Sequence, residues 1–204
     1  LFVDVLIKEK DCFIIAISRR LTTEQEKYSS KKFHFLEMDL SKDNIIDNIS
    51  VLKELIKTEV VYFINNANII GNIDKVEGLK ESTIDDVLSV NLKSSILIIQ
   101  YLLKIGHQHK ISFVNISSGA ANRAISNWSL YCSSKAFMQM FFNVAENEYK
   151  QHHFFNINPG VMDTAMQKKI RKSNFPDIQT FKVLKKDGKL KFPKDVAKEI
   201  LNNI

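Results

Sequence analysis

Two stretches decide the fold: Ile111-Ser112-Phe113-Val114-Asn115-Ile116-Ser117-Ser118, and Trp128-Ser129-Leu130-Tyr131-Cys132-Ser133-Ser134-Lys135. The first is a short apolar run that stops at two serines and reads as a buried strand, Ile111–Ile116. The second opens a helix expected over Trp128–Lys150. Tyr131 and Lys135 stand four residues apart, so they share one helix face about one turn apart. An ammonium that close to a phenol favours the phenolate and is expected to lower its pKa. A serine hydroxyl at the strand end can hold a carbonyl oxygen. Together these groups suit the reduction of a carbonyl or the oxidation of an alcohol.

Working outward, strands alternate with helices. Leu1–Glu9 reads as the end of a buried helix. Strands are expected at Cys12–Ile17, Phe33–Met38, Val60–Ile64 and His153–Ile157. A helix capped by Ser41 is expected to run to about Lys57, with Ile45, Ile49, Leu52 and Ile56 inward. A long helix is expected over Ser82–Ile105, with Gly106 as its C-cap. After Pro159-Gly160 the chain reads as a polar, basic region, then a short helix after Pro193. Strands alternating with helices in this way imply βαβ units, a parallel sheet and three layers. Ligands of such sheets bind beyond the carboxyl ends of the strands. The polar signals fall there: Ser18-Arg19-Arg20, Asp39-Leu40, Asn65-Asn66-Ala67-Asn68, Ser117-Ser118 and Asn158-Pro159-Gly160.

Bulk composition narrows the classes. The chain has 204 residues, 45% of them hydrophobic, which suits one globular domain spanning 1–204. Six glycines and three prolines exclude collagen-like and low-complexity readings. The net charge of +6 is concentrated between Lys168 and Lys198. It accompanies no nucleic-acid motif and reads as a solvated face. Cys12 and Cys132 form no CxxC pair and read as thiols in a reducing cytoplasm. The five histidines show no metal-ligand spacing. No apolar stretch is expected to approach the length of a membrane span.

At these positions the chain resembles the short-chain dehydrogenases/reductases. Asn65-Asn66-Ala67-Asn68 resembles the family's Asn-Asn-Ala-Gly. Asn91 matches its helix asparagine, and Ser118 lies thirteen residues before Tyr131 as the family's serine does. Tyr131 and Lys135 form its Tyr-x-x-x-Lys. Pro159-Gly160 and Thr164 match the segment after its sixth strand. Ser117–Ala121, Trp128–Ala136 and Pro159–Gln167 are most similar to the sepiapterin reductase-like branch, in particular to the bacillar benzil reductases that form (S)-benzoin. The resemblance implies a Rossmann-type doubly wound sheet and an NADP(H)-dependent cytoplasmic carbonyl reductase. Its substrate would be a small dicarbonyl or aromatic ketone.

The resemblance also implies roles. Tyr131 would protonate the carbonyl oxygen. Lys135 would hold the nicotinamide ribose and lower the Tyr131 pKa. Ser118 would bind the substrate oxygen, with Ser117 as the alternative hydroxyl, and Asn91 would hold a relay water or simply bend its helix. Asn65 and Ala67 would meet the cofactor with their backbone, Val161 and Thr164 would bind its nicotinamide end, and Asp39 and Leu40 would flank its adenine. Arg19, ahead of Arg20, would take a 2′-phosphate, because no acidic residue stands at that strand end. Phe137, Met138, Met140, Phe141 and Phe142 read as core or as a dimer seam, in line with a homo-oligomer.

The family's first strand and glycine-rich turn have no counterpart here, nor does its last strand. Cys12–Ile17 and Val60–Ile64 are therefore expected to keep unpaired edges or a gap between them. Asn68, in place of glycine, is expected to crowd the site, although asparagine tolerates left-handed backbone better than most residues. The expectation is a truncated reductase, or a Rossmann-like scaffold that keeps the catalytic residues, with weak NADPH binding and little activity.

Overall fold

The computed structural model describes residues 1–9, 11–42 and 44–204. In chain order the elements are α1 (Phe2–Glu9), β1 (Ile14–Ser18), β2 (Phe33–Glu37), α2 (Ile45–Ile49), α3 (Leu52–Leu55) and β3 (Val60–Asn65). Then follow α4 (Glu81–Leu88), α5 (Ser94–Ile105), β4 (Lys110–Ile116), α6 (Ser129–Glu148), β5 (His153–Ile157), α7 (Ala165–Lys172), α8 (Ile178–Lys186) and α9 (Pro193–Asn202). Every strand pairing among the described residues is parallel.

β4 shows why the layers form. Alternate side chains of a strand leave on opposite faces. Ile111 and Phe113 point into a core built with Ile98, Ile99 and Leu102 of α5 and Met138, Phe142 and Ala145 of α6. Val114 and Ile116 join the opposite core with Val196 and Ile200 of α9 and Phe2 of α1. Phe113 is fully buried and stacks on Phe154 at 4.7 Å. The sheet is thus sandwiched between helices, as expected.

The sheet is divided. Among the described residues β1 pairs only with β2, while β3, β4 and β5 form a separate group in that order. One helical layer serves both parts, since Ile15, Ile17 and Leu36 pack on the same core as Val61 and Phe63. The expected open edges of β1 and β3 are therefore present. Strands of a parallel sheet are normally buried on both faces, yet Val60 and Tyr62 of β3 are half exposed.

Several local expectations are corrected. Ser41 does not cap a helix, because its amide and hydroxyl both donate to Asp39 Oδ1 (3.0 and 2.7 Å). Asn44 is the cap instead, accepting from the Asp47 amide. The expected Ser41–Lys57 helix is two short pieces, and Asp43 within that range lies outside the described residues. The Tyr101 hydroxyl donates to the Ser50 carbonyl where the pieces part. The basic region after Gly160 forms α7 and α8. Thr164 caps α7 by accepting from the Gln167 amide. The helical run Glu81–Gln108 is long and apolar enough, by length and composition, to cross a membrane, which overturns the expectation that no stretch reaches that length. Its inward residues Ile98, Ile99 and Leu102 lie in the core.

Local stability should follow the pairing. Hydrogen exchange should find the Ile111–Ile116 amides protected about 100-fold or more beyond those of β1 and β3, whose outer edges lack a partner strand. Equal protection across all three strands would contradict the divided sheet.

Candidate active site

The site forms where the C-terminal ends of β3 and β4 meet α6. Lys135 is 3% exposed, and its Nζ donates to the Ile116 carbonyl at 2.7 Å. That carbonyl closes β4. Burial, with no compensating carboxylate, lowers the Lys135 pKa to about 7. Its Nζ lies 5.8 Å from the centre of the Tyr131 ring.

Tyr131 is also buried. Burial raises its pKa above the usual 10, while the Ser118 hydroxyl beside it pulls the other way and Cys132 adds to the rise. The expected lowering of the Tyr131 pKa by Lys135 is thus corrected. Both groups have lost water, and desolvation disfavours the charged form of each.

The two serines face different neighbours, as the strand's alternation requires. Ser117 is buried on the α6 side, where its hydroxyl donates to Gln139 Oε1 at 3.3 Å. Ser118 turns towards Tyr131 and caps the short turn Gly119–Ala121, its Oγ accepting from the Ala120 amide.

Asn91 lies in a π-helical turn, Ser89–Lys93, between α4 and α5. Its Oδ1 accepts from the Ile69 amide, and its Nδ2 donates to the Ile69 carbonyl and to Ser134 Oγ. Both of its amide hydrogens are therefore used, and the side chain clamps the loop after β3 to α6. The helix departs from α geometry at this turn. Asn68 causes no backbone strain, because among the described residues only Asn127 is a non-glycine residue with positive φ.

Sequence reasoning missed a ladder of amides beneath the site. Asn65, Asn115 and Asn156 are register partners across β3, β4 and β5. Asn65 Nδ2 donates to Asn115 Oδ1, Asn115 Nδ2 to Asn156 Oδ1, and Asn156 Nδ2 to Asn143 Oδ1 on α6. Ser95 Oγ donates to Asn65 Oδ1. Asn65 closes β3, and Ala67 lies in the loop that Asn91 clamps. The signal available in the sequence was an asparagine near the end of each of three apolar strands.

The remaining predicted residues fall at two places. Arg19 and Arg20 are exposed beyond β1. The Ser41 amide and hydroxyl hold the Asp39 carboxyl below its usual range, and the nearby Arg19 charge lowers it further. Leu40 packs on the main core. Val161 and Thr164 lie after β5: the Val161 carbonyl accepts from the Lys191 amide, and Thr164 is the α7 cap. Among the described residues no group of histidine, cysteine and carboxylates could hold a metal ion.

A dinucleotide fits part of this arrangement. An ammonium carries three donors, and Lys135 uses one, on Ile116, leaving two for ribose hydroxyls.

Comparison with known proteins agrees with the geometry. Residues 3–174 match the short chain dehydrogenase family model. The benzil reductase ((S)-benzoin forming) of Bacillus cereus is 32% identical over 95% of this chain and 84% of its own length. That of Bacillus subtilis is 34% identical over 70% of this chain, covering 62% of its own. A sepiapterin reductase of Xenopus tropicalis is 32% identical over 68% of this chain and 56% of its own. The crystal structure of the KRED1-Pglu enzyme superposes with a TM-score of 0.86 at 24% identity, covering 96% of this chain and 85% of that one. The chain belongs to the short-chain dehydrogenase family, oxidoreductases that interconvert CH–OH and C=O groups with NAD(P)(H).

Proposed function

We propose that this chain is an NADPH-dependent carbonyl reductase that converts a small dicarbonyl or aromatic ketone, such as benzil, to a hydroxyketone. The observation that carries this reading is the convergence of Ser118, Tyr131 and Lys135 at the end of β4. The benzil reductases among the relatives favour the substrate. Arg19, exposed beside Asp39 at the ends of β1 and β2, favours the 2′-phosphate of NADPH.

The cofactor, when bound, supplies hydride to the carbonyl carbon. Ser118 donates a hydrogen bond to the carbonyl oxygen, where negative charge develops. Tyr131, kept protonated by burial, is already loaded as the acid and delivers its proton to that oxygen. Lys135 holds ribose hydroxyls with the donors that Ile116 leaves free. With a pKa of about 7, it can also return a proton to Tyr131 near neutral pH. Asn65 and Ala67 meet the cofactor through their backbone, Val161 and Thr164 lie at its nicotinamide end, and Leu40 beside Asp39 flanks its adenine.

In this reading the protein works in the cytoplasm as a homodimer. Phe137 and Met140 form an exposed apolar stripe on α6, while Met138 and Phe142 fill the core. A second reading, a Rossmann-like domain of 1–204 that performs no turnover, is favoured by the divided sheet.

NADPH oxidation with benzil separates the two readings. Tyr131→Phe should lower kcat/KM by about 10²–10⁴-fold; an unchanged rate would refute the role of Tyr131, and no turnover by the wild type would favour the second reading. Arg19→Ala should weaken NADPH binding by about tenfold or more, and NADH binding much less. Equal losses for both nucleotides, in titrations at fixed ionic strength, would contradict the phosphate assignment.

A further inference from the structure

Buried polar side-chain atoms are nearly always paired. Among the described residues, Trp128 Nε1, Ser129 Oγ, Gln167 Oε1 and Arg171 Nη1 are buried without a hydrogen-bond partner. The first two stand at the start of α6 and the last two on α7, and both helices pack beside Tyr131. Trp128 precedes α6, is 4% exposed, and sets its ring edge-to-face against Tyr131 at 5.8 Å. Phe181 stacks on the indole at 5.1 Å and Phe175 lies at 5.7 Å, so its orientation is fixed. Gln167 and Arg171 stand one turn apart on α7. Beside them, Met166 and Ile170 pack into the same cluster as Trp128 and Tyr131. Arg171 is anchored through its other nitrogen, with Nη2 at 3.4 Å from Asp163 Oδ1, and Lys185 holds Asp163 Oδ2 at 2.7 Å.

We propose that Trp128 and Arg171 are specificity-determining residues. Their N–H groups receive the second oxygen of a 1,2-dicarbonyl substrate while Ser118 and Tyr131 receive the first. The inference rests on the reductase reading and sharpens it, because a ketone with a single carbonyl would leave both donors unpaired. An indole N–H and a guanidinium N–H suit an oxygen acceptor rich in electron density. Access requires α7 and α8 to lift together, which breaks the bond from Lys169 Nζ to the Gly71 carbonyl. They form one excursion of the chain, closed at its base where the Lys191 amide donates to the Val161 carbonyl and the Asp163 amide to the Lys191 carbonyl.

Benzil and deoxybenzoin test this, since they share a carbon skeleton and differ in one carbonyl. Calorimetric titration without nucleotide should show benzil binding about tenfold or more tightly, and the kcat/KM ratio should show the same preference. The ratio should fall to near one in Trp128→Phe and in Arg171→Met, and recover in part in Arg171→Lys. Ratios are insensitive to the fraction of each variant that folds. A wild-type ratio near one, no binding of benzil, or a preference that survives in both variants would overturn the proposal. The reductase reading fails separately, if the preference for benzil appears in binding while no NADPH is oxidised.

Discussion

A lysine ammonium buried without a carboxylate is the constraint around which this site is arranged. Moving such a charge out of water is costly unless its donors are satisfied. The Ile116 carbonyl supplies the partner because β4 ends there and the chain turns away at Ser117. The bond ties α6 to the strand end and fixes which face of α6 looks into the cleft. Tyr131, one turn earlier, and Ser118, two residues beyond the strand, then arrive at the same place.

The arrangement is braced from below and from the side. The amides of Asn65, Asn115 and Asn156 link the three strand ends, and Asn143 extends the link to α6. Asn91 fastens the loop after β3, and Lys169 Nζ donates to the Gly71 carbonyl, so α7 is drawn onto that loop. The catalytic half of the sheet is therefore held together by polar contacts as well as by its apolar core. β1 and β2 meet it through the helical layer, with no strand pairing to it among the described residues, and Arg19 and Asp39 stand on that half.

Much of this was legible in the sequence, for physical reasons that differ by element. The buried strands could be read from short apolar runs, and the Tyr131–Lys135 face follows from helix geometry. Ser118 was separable from Ser117 only by the direction of alternation past the strand end. The pKa of Tyr131 was misjudged because spacing shows a neighbouring charge but not the water lost by both groups. The Ser41 cap failed because Asp39 captured the same hydroxyl. α7 and α8 were hidden by their lysines: Met166, Ile170, Ile178 and Phe181 carry their inward faces, and Thr164 as a cap was the signal available.

The buried charge can be observed directly. Titrating the Lys135 side chain by NMR in the nucleotide-free protein, with Lys135→Met to identify its resonance, reports its protonation. The amine should replace the ammonium with a midpoint near pH 7, as burial without a counter-charge requires. A midpoint near the ordinary 10.5 would contradict the account, because Lys135 would then be solvated rather than fixed on Ile116.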